Sequence, residues 1–455
     1  MTSSVVSLQV GQCGIQLGTS LLETIAGEEM NLGSEGGLSD TFFRQQRLVA
    51  SDSYSIKGVI QKTHPRSVLV DMEPKVIAST VRSSGNESPL FTFDPRSCFA
   101  KQSGSGNNWA RGYFEYGSQY GDDILDKVRR EVEKCDMFRG FLVMQSLAGG
   151  TGSGLGARLA QLLKDDFQSS FLLNHCVWPY ESGEVIVQNY NTLLTLSHLH
   201  DCSDGIIVTE NETLLQTCKR RLDIARPTFD DLNKVAAKGL ASVLLPAERQ
   251  SVDPYDFGGG GGGVEQNLLG DLVEHLCSHP AFKMLTLKSA PQVQTKALDF
   301  TEFKWTTILK WLRQMLIVSS SLDETLDWGV KIDSGSSINR VHCKSMGNFL
   351  VLRGRGAFDA DVTTFADKAL YPSWASDPLR VMCSKESFLK HEMFATVVSN
   401  SQASIVPMRK VLDKAYNMFD EKAYVHHYER CGLSHKDMEY AFANIEDIIA
   451  KYESL

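Results

Sequence analysis

A run of glycines and hydroxyl residues at residues 146–154, with the sequence SLAGGTGSG, is the segment best suited to chemistry. Glycines let the backbone approach phosphate oxygens without obstruction by a Cβ atom, and free N–H groups at a helix start supply partial positive charge. Thr151 and Ser153 add hydroxyl donors. The segment lies between an apolar run and a helical pattern, so it is a candidate phosphate-binding loop.

The same glycine pattern also occurs in dinucleotide-binding turns and in tight structural turns. The sequence has no GxxxxGK[ST] motif, and residues 146–154 contain no lysine to neutralise phosphate charge. A triphosphate bound here would therefore depend on backbone amides and a metal ion. A dinucleotide-dependent oxidoreductase would need an acidic residue at the end of the next strand, where the sequence has Trp178, Pro179 and Tyr180. That mismatch disfavours an oxidoreductase.

The segments around this loop predict an α/β fold with a parallel sheet. Short apolar runs alternate with amphipathic segments through residues 1–211, which is the pattern of strands connected by helices. Ligands of such sheets bind in the loops at the carboxyl ends of the strands. The candidate strands cover residues 5–10, 67–71, 140–145, 174–178 and 205–209. The candidate helices cover residues 123–135, 155–167 and 231–245.

The chain is predicted to divide into three parts. Residues 1–211 would form a nucleotide-binding domain, residues 212–388 a core helix and a second α/β domain, and residues 389–455 a C-terminal helical hairpin. Residues 258–263 are six consecutive glycines, interpreted as a flexible surface insertion because no Lys, Ser or Thr accompanies them. The apolar stripes of the two C-terminal helices are Met408, Val411, Leu412, Ala415 and Phe419, and Met438, Phe442, Ile445, Ile449 and Tyr452.

The composition excludes several classes of partner. The 455 residues carry a formal charge of −9, so nucleic acids and anionic membranes are not expected as partners. No apolar run approaches the ~18 residues of a membrane span, and residues 1–14 lack the features of a signal peptide, so a cytoplasmic protein is expected. The ten cysteines show no CxxC spacing, and the histidine pairs at 198/200 and 426/427 lack acidic or Cys partners at ligand spacing, so they are interpreted as structural.

Several motifs in order resemble those of the tubulin family. GGTGSG at residues 149–154 resembles the tubulin signature, and GQCG at residues 11–14 resembles the first nucleotide loop of that family. The further matching motifs are DMEP at 71–74, GSGNNWA at 104–110, NYN at 189–191, NE at 211–212 and TFDDLN at 228–233. Similarity to this family implies a tubulin/FtsZ-like α/β fold with a Rossmann-like GTP-binding domain, and GTP or GDP with Mg²⁺ as cofactors.

The resemblance implies a role for each matching residue. Glu73, with Asp71 beside it, would hold the magnesium ion, since hard cations prefer oxygen ligands. Residues 104–107 would sense the γ-phosphate. The residues expected along the phosphates and the base are Gly11, Gln12, Cys13 and Gln16; those at the γ-phosphate are Gly104, Ser105, Gly106 and Asn107; those around the other phosphates are Ser146, Gly149, Gly150, Thr151, Gly152, Ser153 and Gly154.

Asn211 and Asn233 would recognise guanine, because an amide offers both a donor and an acceptor. Phe229 stands where tubulins often have Tyr, so stacking would be kept and the hydroxyl lost. In the ribose loop, alpha- and beta-tubulins have an Asp and a Glu, whereas this chain has Glu184 and Gln188. Gln188 can still accept a ribose hydroxyl, but its hydrogen bond would be weaker without a charge.

A catalytic role is implied for Asp271. In polymers of the tubulin type, the next subunit completes the pocket with a helix whose acidic residue orients the attacking water. Counting back from His279 and Pro280 places Asp271 at that acidic position, and a carboxylate there can polarise water. Asp271 is thus a candidate catalytic residue acting in trans, with an ordinary solvated helix residue as the alternative.

Within the tubulin family, several segments resemble the delta branch. They include residues 69–77, 130–136, 183–192 and 312–317. This resemblance implies a role in triplet microtubules of centrioles and basal bodies and in building cilia and flagella, with epsilon-tubulin, alpha/beta-tubulin and centriolar proteins as partners. The expected location is the cytoskeleton at the centrosome, centriole or basal body. Two functions remain open: a slow, partner-dependent GTPase, or a non-hydrolysing scaffold with GTP as a structural cofactor.

Overall fold

The structure is a computed structural model that describes residues 3–31, 39–49, 59–86, 90–183, 185–250, 267–294, 302–319, 326, 328 and 342–455. Two sequence-based predictions, the glycine insertion at residues 258–263 and the role of Glu184, lie outside these residues.

The strands are β1 (Ser3–Val10), β2 (Phe43–Val49), β3 (Val59–Pro65), β4 (Ser67–Asp71), β5 (Cys98–Ala100), β6 (Met137–Ser146), β7 (Phe171–Trp178), β8 (Gly205–Glu210), β9 (Glu248–Gln250), β10 (Met284–Ala290), β11 (Ser345–Gly354), β12 (Leu379–Ser384) and β13 (Met393–Ser401). The helices are α1 (Gly11–Asn31), α2 (Pro74–Asn86), α3 (Gly117–Val132), α4 (Gly156–Asp166), α5 (Gln188–Cys202), α6 (Asn211–Arg220), α7 (Phe229–Leu244), α8 (Leu268–Leu276), α9 (Trp305–Val318), α10 (Ile405–Asp420), α11 (Val425–Glu429) and α12 (His435–Glu453).

Six strands form a parallel half-sheet in the order β5-β4-β1-β6-β7-β8. This is the strand order of a doubly wound dinucleotide fold, in which the chain leaves the centre in both directions. The order reverses between β1 and β6, so the loops after these two strands flank one crevice. The predicted parallel sheet and its five candidate strands are confirmed.

The remaining strands of the sheet continue it with mixed directions. β10 pairs in parallel with β8, and β13, β11, β12 and β9 follow it in that order. Among the described residues, one sheet of 11 strands therefore runs through the parallel half and the predicted second α/β region. The domain limits at residues 211 and 388 stay predictions.

Helices cover both faces of the sheet. On one face, β1 directs Val6 and Leu8 into a core shared with α3, α4, α5, α10 and α12. On the other, Val5 packs into a core shared with α1, α7 and α8. Successive strand residues thus point to opposite faces and are buried on both, as expected for parallel strands between helix layers.

The predicted helices are confirmed, with ends that differ from the predicted ones by one to six residues. Helix α7 begins two residues earlier than predicted, at Phe229, because Thr228 and Asp231 form a capping box, and it stops before Pro246. The stripes predicted for the last two helices are mostly buried in α10 and α12. The antiparallel hairpin of β2 and β3 was not predicted, since its polar sequences FRQQRLV and VIQKTHP lack an apolar run.

Candidate nucleotide site at the strand ends

The loops after β1 and β6 meet at the point where the strand order reverses. Gly11, the first residue of α1, has φ +72°, a conformation that residues with a side chain rarely adopt. A Cβ atom at Gly11 would lie only 3.0 Å from the backbone nitrogen of Gly152. The GQCG segment at the start of α1 (residues 11–14) is called the first loop, and residues 146–154 are called the glycine loop. Because their backbones are in contact, the two loops form one continuous surface of N–H groups at two helix starts.

The loop predicted to sense the γ-phosphate, the γ-loop (residues 104–107), packs directly on the glycine loop. A Cβ atom at Gly150 would lie 2.5 Å from Ser105 Oγ and 2.7 Å from the backbone nitrogen of Asn108. In contrast, a Cβ atom at Gly106 would meet nothing within 4 Å. The first glycine thus joins the two loops, and the second leaves open space beside them.

Two π-helical turns, Arg111–Tyr116 and Thr151–Leu155, carry these loops into α3 and α4. A Cβ atom at Gly112 would lie 2.2 Å from the carbonyl oxygen of Gly150, and one at Gly154 would lie 2.1 Å from that of Trp109. Turns of this kind are rare and concentrate at functional sites. Here they are held backbone to backbone, so neither turn can move without the other.

The hydroxyls of the glycine loop differ from the expectation that they face the phosphate. The Thr151 hydroxyl donates to Ser105 Oγ at 3.2 Å, and the buried Ser153 hydroxyl donates to the carbonyl oxygen of Gly149. Both hydroxyls therefore stabilise the loops. Ser146 Oγ likewise accepts a hydrogen bond from the backbone of Ala148 at 3.2 Å. Binding of phosphate would fall to the backbone N–H groups.

Asp71 and Glu73 lie beside the γ-loop. Asp71 ends β4 and is 4% exposed, and burial together with the neighbouring Glu73 raises its pKa to about 6. Glu73 is exposed, and its Oε1 would lie 3.0 Å from a Cβ atom at Gly104. Within the described residues, neither carboxylate forms an ion pair with Lys or Arg.

These two carboxylates suit Mg²⁺. The described part of the chain has no cluster of three or more His, Cys, Asp or Glu residues able to hold a metal by itself. Mg²⁺ usually takes only one or two protein carboxylates and completes its shell with water and substrate phosphates. Two neighbouring acidic groups that pair with no Lys or Arg in the described part of the chain therefore match this ion better than a metal bound by protein alone.

Three predicted residues of α1 line its first turns. Gln12 and Gln16 are exposed on the same side of the helix, and Cys13 is half-buried between them. Burial raises the pKa of the Cys13 thiol to about 12. The thiol is therefore neutral at physiological pH and adds no negative charge beside a phosphate-binding surface.

A small apolar cluster positions the residues predicted to bind guanine. Leu17, Leu214 and Leu232 bring α1, α6 and α7 together, and Cys13 packs against them. Asn211 begins α6 and Asn233 lies one turn into α7. Asn233 is 9% exposed, whereas Phe229 at the start of α7 is 58% exposed. An exposed phenyl ring next to a buried amide is a suitable arrangement for stacking and edge recognition of a base.

Gln188 begins α5 and is 6% exposed. Its Nε2 donates to the carbonyl oxygen of Tyr180 at 2.8 Å, which fixes the orientation of the amide. The Oε1 atom would touch a Cβ atom at Gly183, so the side chain lies against the loop after β7. The amide oxygen is the atom that could accept a ribose hydroxyl.

Asp271 lies away from these loops. A Cβ atom at the preceding residue, Gly270, would lie 2.8 Å from the ring of Phe171. Phe171 is the first residue of β7, so it lies at the amino ends of the parallel strands, whereas the glycine loop follows their carboxyl ends. Asp271 pairs with Arg380 at 3.8 Å, and burial raises its pKa while Arg380 partly offsets this shift. At the amino ends of the strands, Asp271 cannot reach the nucleotide loops of its own chain.

The sequence motif at residues 189–191 was recognised, but the contacts of Asn191 were not predicted. Its Nδ2 donates to the carbonyl oxygens of Asn107 at 2.8 Å and Ala148 at 2.6 Å, one in the γ-loop and one in the glycine loop. These partners are 84 and 43 residues away in the sequence. A helical Asn with such distant partners gives no local signal.

The fold and the loops together define a nucleotide-binding protein of the doubly wound class. Residues 4–219 match the model of the Tubulin/FtsZ family, GTPase domain. The chain is 38% identical to the tubulin delta chain of Mus musculus over 473 residues, covering 99% of each protein. It is also 38% identical to the tubulin delta chain of Homo sapiens, covering 99% of this chain and 100% of the human one.

Similarity to a beta-tubulin is lower. The identity with the tubulin beta-1 chain of Hypocrea rufa is 28%, with 98% of this chain and 94% of the fungal protein covered. The chain belongs to the tubulin family, as the motifs predicted. Membership implies binding of GTP or GDP, other tubulins as partners and a cytoskeletal protein. Among the helices that the structure describes, none has the length and apolar character needed to span a membrane.

Proposed function

We propose that this chain is a GTP-binding tubulin that acts in forming or maintaining the triplet microtubules of centrioles and basal bodies, and so in assembling cilia and flagella. The observation that supports nucleotide binding best is the backbone contact of three loops at the strand ends. The first loop meets the glycine loop at Gly11 and Gly152, and the γ-loop meets it at Gly150. A surface of N–H groups at helix starts favours a polyphosphate.

Asp71 and Glu73 would hold Mg²⁺, which neutralises phosphate charge when bound. The protein itself supplies N–H donors from the loops, a neutral Cys13 thiol, and the Asn211 and Asn233 amides for the guanine edge. Gln188 would accept a ribose hydroxyl. None of these groups contributes a positive charge, so affinity for GTP depends on magnesium more than in a loop that contains lysine.

Purification under native conditions followed by nucleotide extraction tests this proposal. We expect guanine nucleotide in the extract, or stoichiometric uptake of GTP by the nucleotide-free protein when Mg²⁺ is added. A dinucleotide in the extract would contradict the assignment. Protein that is empty and takes up no GTP with Mg²⁺ present would contradict it as well.

We further propose that hydrolysis is slow and completed in trans, with Asp271 polarising water at a partner's GTP. Its position at the amino ends of the strands, opposite to the nucleotide loops, supports action on a neighbouring subunit stacked head to tail. The turnover of GTP with epsilon-tubulin should fall by about 100-fold in Asp271→Ala, because a general base contributes about that much. Glu274→Ala, at an exposed position of the same helix, is the matched control.

The ion pair with Arg380 favours a second candidate, a scaffold that binds GTP without hydrolysing it. Arg380 lowers the proton affinity of the Asp271 carboxylate and so opposes the rise in pKa that burial produces. Equal turnover in the wild type and Asp271→Ala would support the scaffold and remove the catalytic role. Arg380→Met separates the candidates further: it should raise turnover if Asp271 is the base, and should have no effect on a scaffold.

The centriolar role and the partners epsilon-tubulin, alpha/beta-tubulin and centriolar proteins are supported by the 38% identity to the delta-tubulin chains. In ciliated cells that lack this protein, we expect centrioles with doublet microtubules in place of triplets, restored by the wild-type chain. Normal triplets in such cells would refute the centriolar role but leave nucleotide binding untouched.

A further inference from the structure

Asn191 is a buried amide that joins both phosphate loops to the C-terminal part of the chain. Its Nδ2 donates to the carbonyl oxygens of Asn107 and Ala148, and its Oδ1 accepts hydrogen bonds from the backbone N–H of Trp109 at 3.2 Å and from the Tyr428 hydroxyl at 2.6 Å. The side chain has two donors and two acceptor positions, and all four are used. Asn191 is 0% exposed, so water cannot replace any of these partners.

The partners also fix which end of the amide is which. Two carbonyl oxygens surround the Nδ2 atom, and a backbone N–H points to the Oδ1 atom. The Tyr428 hydroxyl must therefore donate to Oδ1. Burial raises the pKa of this hydroxyl well above its usual value, so it keeps its proton at physiological pH.

The C-terminal segment (residues 423–433) has further bonds to the same region. Asn108 Nδ2 donates to the carbonyl oxygen of His427 at 3.0 Å, and the Tyr190 hydroxyl donates to that of Ala423 at 3.1 Å. The rings of Tyr190 and Tyr428 also meet edge to face at a centroid distance of 5.6 Å. Neighbouring residues of the γ-loop and of α5 thus hold a single stretch of the C-terminal region.

We propose that Asn191 is a positioning residue for the γ-phosphate and that Tyr428 couples the C-terminal segment to it. A phosphate that draws the γ-loop toward the glycine loop would tighten the bonds of Asn191, and these in turn hold Tyr428. The coupling rests on the proposed function, specifically on γ-phosphate binding by residues 104–107. If GTP in place of GDP raises the affinity of the C-terminal segment for a partner by some factor, that partner raises the preference for GTP over GDP by the same factor, because binding free energies are reciprocal.

The test compares GTP and GDP affinities of full-length Tyr428→Phe and wild type with Mg²⁺. The variant keeps the ring and loses only the hydroxyl, so Asn191 Oδ1 loses one buried partner. We expect the preference for GTP over GDP to fall by about fivefold or more, with GDP affinity changing less than about twofold.

Tyr452→Phe is the matched control. Tyr452 is also fully buried, and its hydroxyl donates to Asn400 Oδ1 at 2.7 Å and accepts from the backbone N–H of Met284 at 2.9 Å, away from both phosphate loops. This variant should lose at least as much stability as Tyr428→Phe and keep the wild-type preference for GTP over GDP. A second variant, Tyr190→Phe, removes only the bond to Ala423 and should lower the preference in the same direction as Tyr428→Phe.

Hydrogen exchange gives a readout that a merely structural role would not change. In the wild type, amides of residues 423–433 should exchange more slowly with GTP than with GDP, and Tyr428→Phe should remove the difference. Unchanged nucleotide preference in Tyr428→Phe, or equal exchange with both nucleotides in the wild type, would overturn the coupling alone. Failure of the wild type to bind either nucleotide would overturn the proposed function and the coupling with it.

Discussion

In the parallel half of the sheet, helices α1 and α6 and the turn Thr151–Leu155 begin at the strand-end loops, whereas in the other half α7 and α9 end against buried cations. Arg353 on β11 donates to the carbonyl oxygens of Ser242 at 2.7 Å and Pro246 at 3.0 Å, and also to that of Leu245. Lys288 on β10 donates to the carbonyl oxygen of Met315, in the last turn of α9, at 2.8 Å.

Every helix leaves unpaired N–H groups at its start and unpaired carbonyls at its end. In the second half, the chain satisfies the carbonyls itself, with positive side chains that complement the helix dipole. In the parallel half, the N–H groups remain for an anion, with neutral side chains such as Asn191 beside them and the carboxylates of Asp71 and Glu73 next to the γ-loop. We therefore expect substitutions in the second half to change mainly stability, and those in the parallel half to change mainly nucleotide binding.

The largest effect is expected from Arg353→Met, which leaves the end of α7 without its three hydrogen bonds. The free energy of unfolding should fall by about 3 kcal/mol or more, because several buried carbonyls lose their partner. Urea denaturation measures this loss, and the folded fraction should bind GTP as the wild type does. Arg355→Met, at a side chain 84% exposed, should change stability by less than about 0.5 kcal/mol.

Gly150→Ala, in the parallel half, is expected to reduce GTP affinity. The added Cβ atom would push the γ-loop away, since Ser105 Oγ and the backbone of Asn108 lie within 2.7 Å of its position. GTP affinity measured by calorimetry should fall about 100-fold, as displacements of this size disturb ligand geometry. Gly27→Ala on α1, where a Cβ atom meets nothing within 4 Å, should keep the affinity and add about 0.5–1 kcal/mol of stability. Wild-type affinity in Gly150→Ala would break the contrast.

Glu73→Gln sharpens the role of charge in the parallel half. With Mg²⁺, GTP affinity should fall about tenfold, because an uncharged amide is a poorer magnesium ligand. With EDTA the sign should reverse, since the variant lacks a negative charge that repels the phosphates. Weaker binding of equal size under both conditions would show that Glu73 acts through the loop structure and not through a metal.

Lys238→Met should give the smallest effect and tests the second half by pH. Burial lowers the pKa of Lys238 to about 7, and its Nζ lies 2.6 Å from His391 Nε2. Between pH 7 and its usual pKa of 10.5, the unfolded chain binds the proton more tightly, so this lysine makes stability rise with pH. The variant should be more stable than the wild type at pH 6.5, where the wild type carries the buried charge, and should lack that rise. If the free energy of unfolding changed with pH equally in the wild type and Lys238→Met, this role of Lys238 would be excluded.

The sequence predicted the parts of the site that depend on local pattern. Apolar runs followed by glycines, as at residues 140–154, specify strand, loop and helix within a short stretch, and the structure has them in that order. The predicted binding roles of these loop residues stay predictions. The partners of Thr151 and Ser153 were missed because a hydroxyl can serve a ligand or the loop equally well, and only the loop packing decides.

Hydrogen bonds between residues far apart in the sequence could not be predicted, because only the packing of the folded chain decides them. Arg353 was not singled out because it bonds carbonyls more than 100 positions earlier. The contacts of Asn191 were not predicted because three of its partners lie in or next to the phosphate loops and another in the C-terminal segment. A side chain that satisfies distant backbone groups has no periodicity to reveal it. The hairpin of β2 and β3 was missed because Gln, Arg and Lys interrupt its apolar and β-branched residues, so that no apolar run exceeds two residues.

The bond between Tyr428 and Asn191 has a consequence for synthesis of the chain. It joins residues 237 positions apart, so a ribosome adding 5–20 residues per second needs roughly 10–50 s between them. During that interval the amino-terminal loops exist without their last partner, and the Asn191 oxygen lacks one of its two donors. A nascent or truncated chain that stops before residue 428 is therefore exposed to misfolding at the very place where the ligand loops converge.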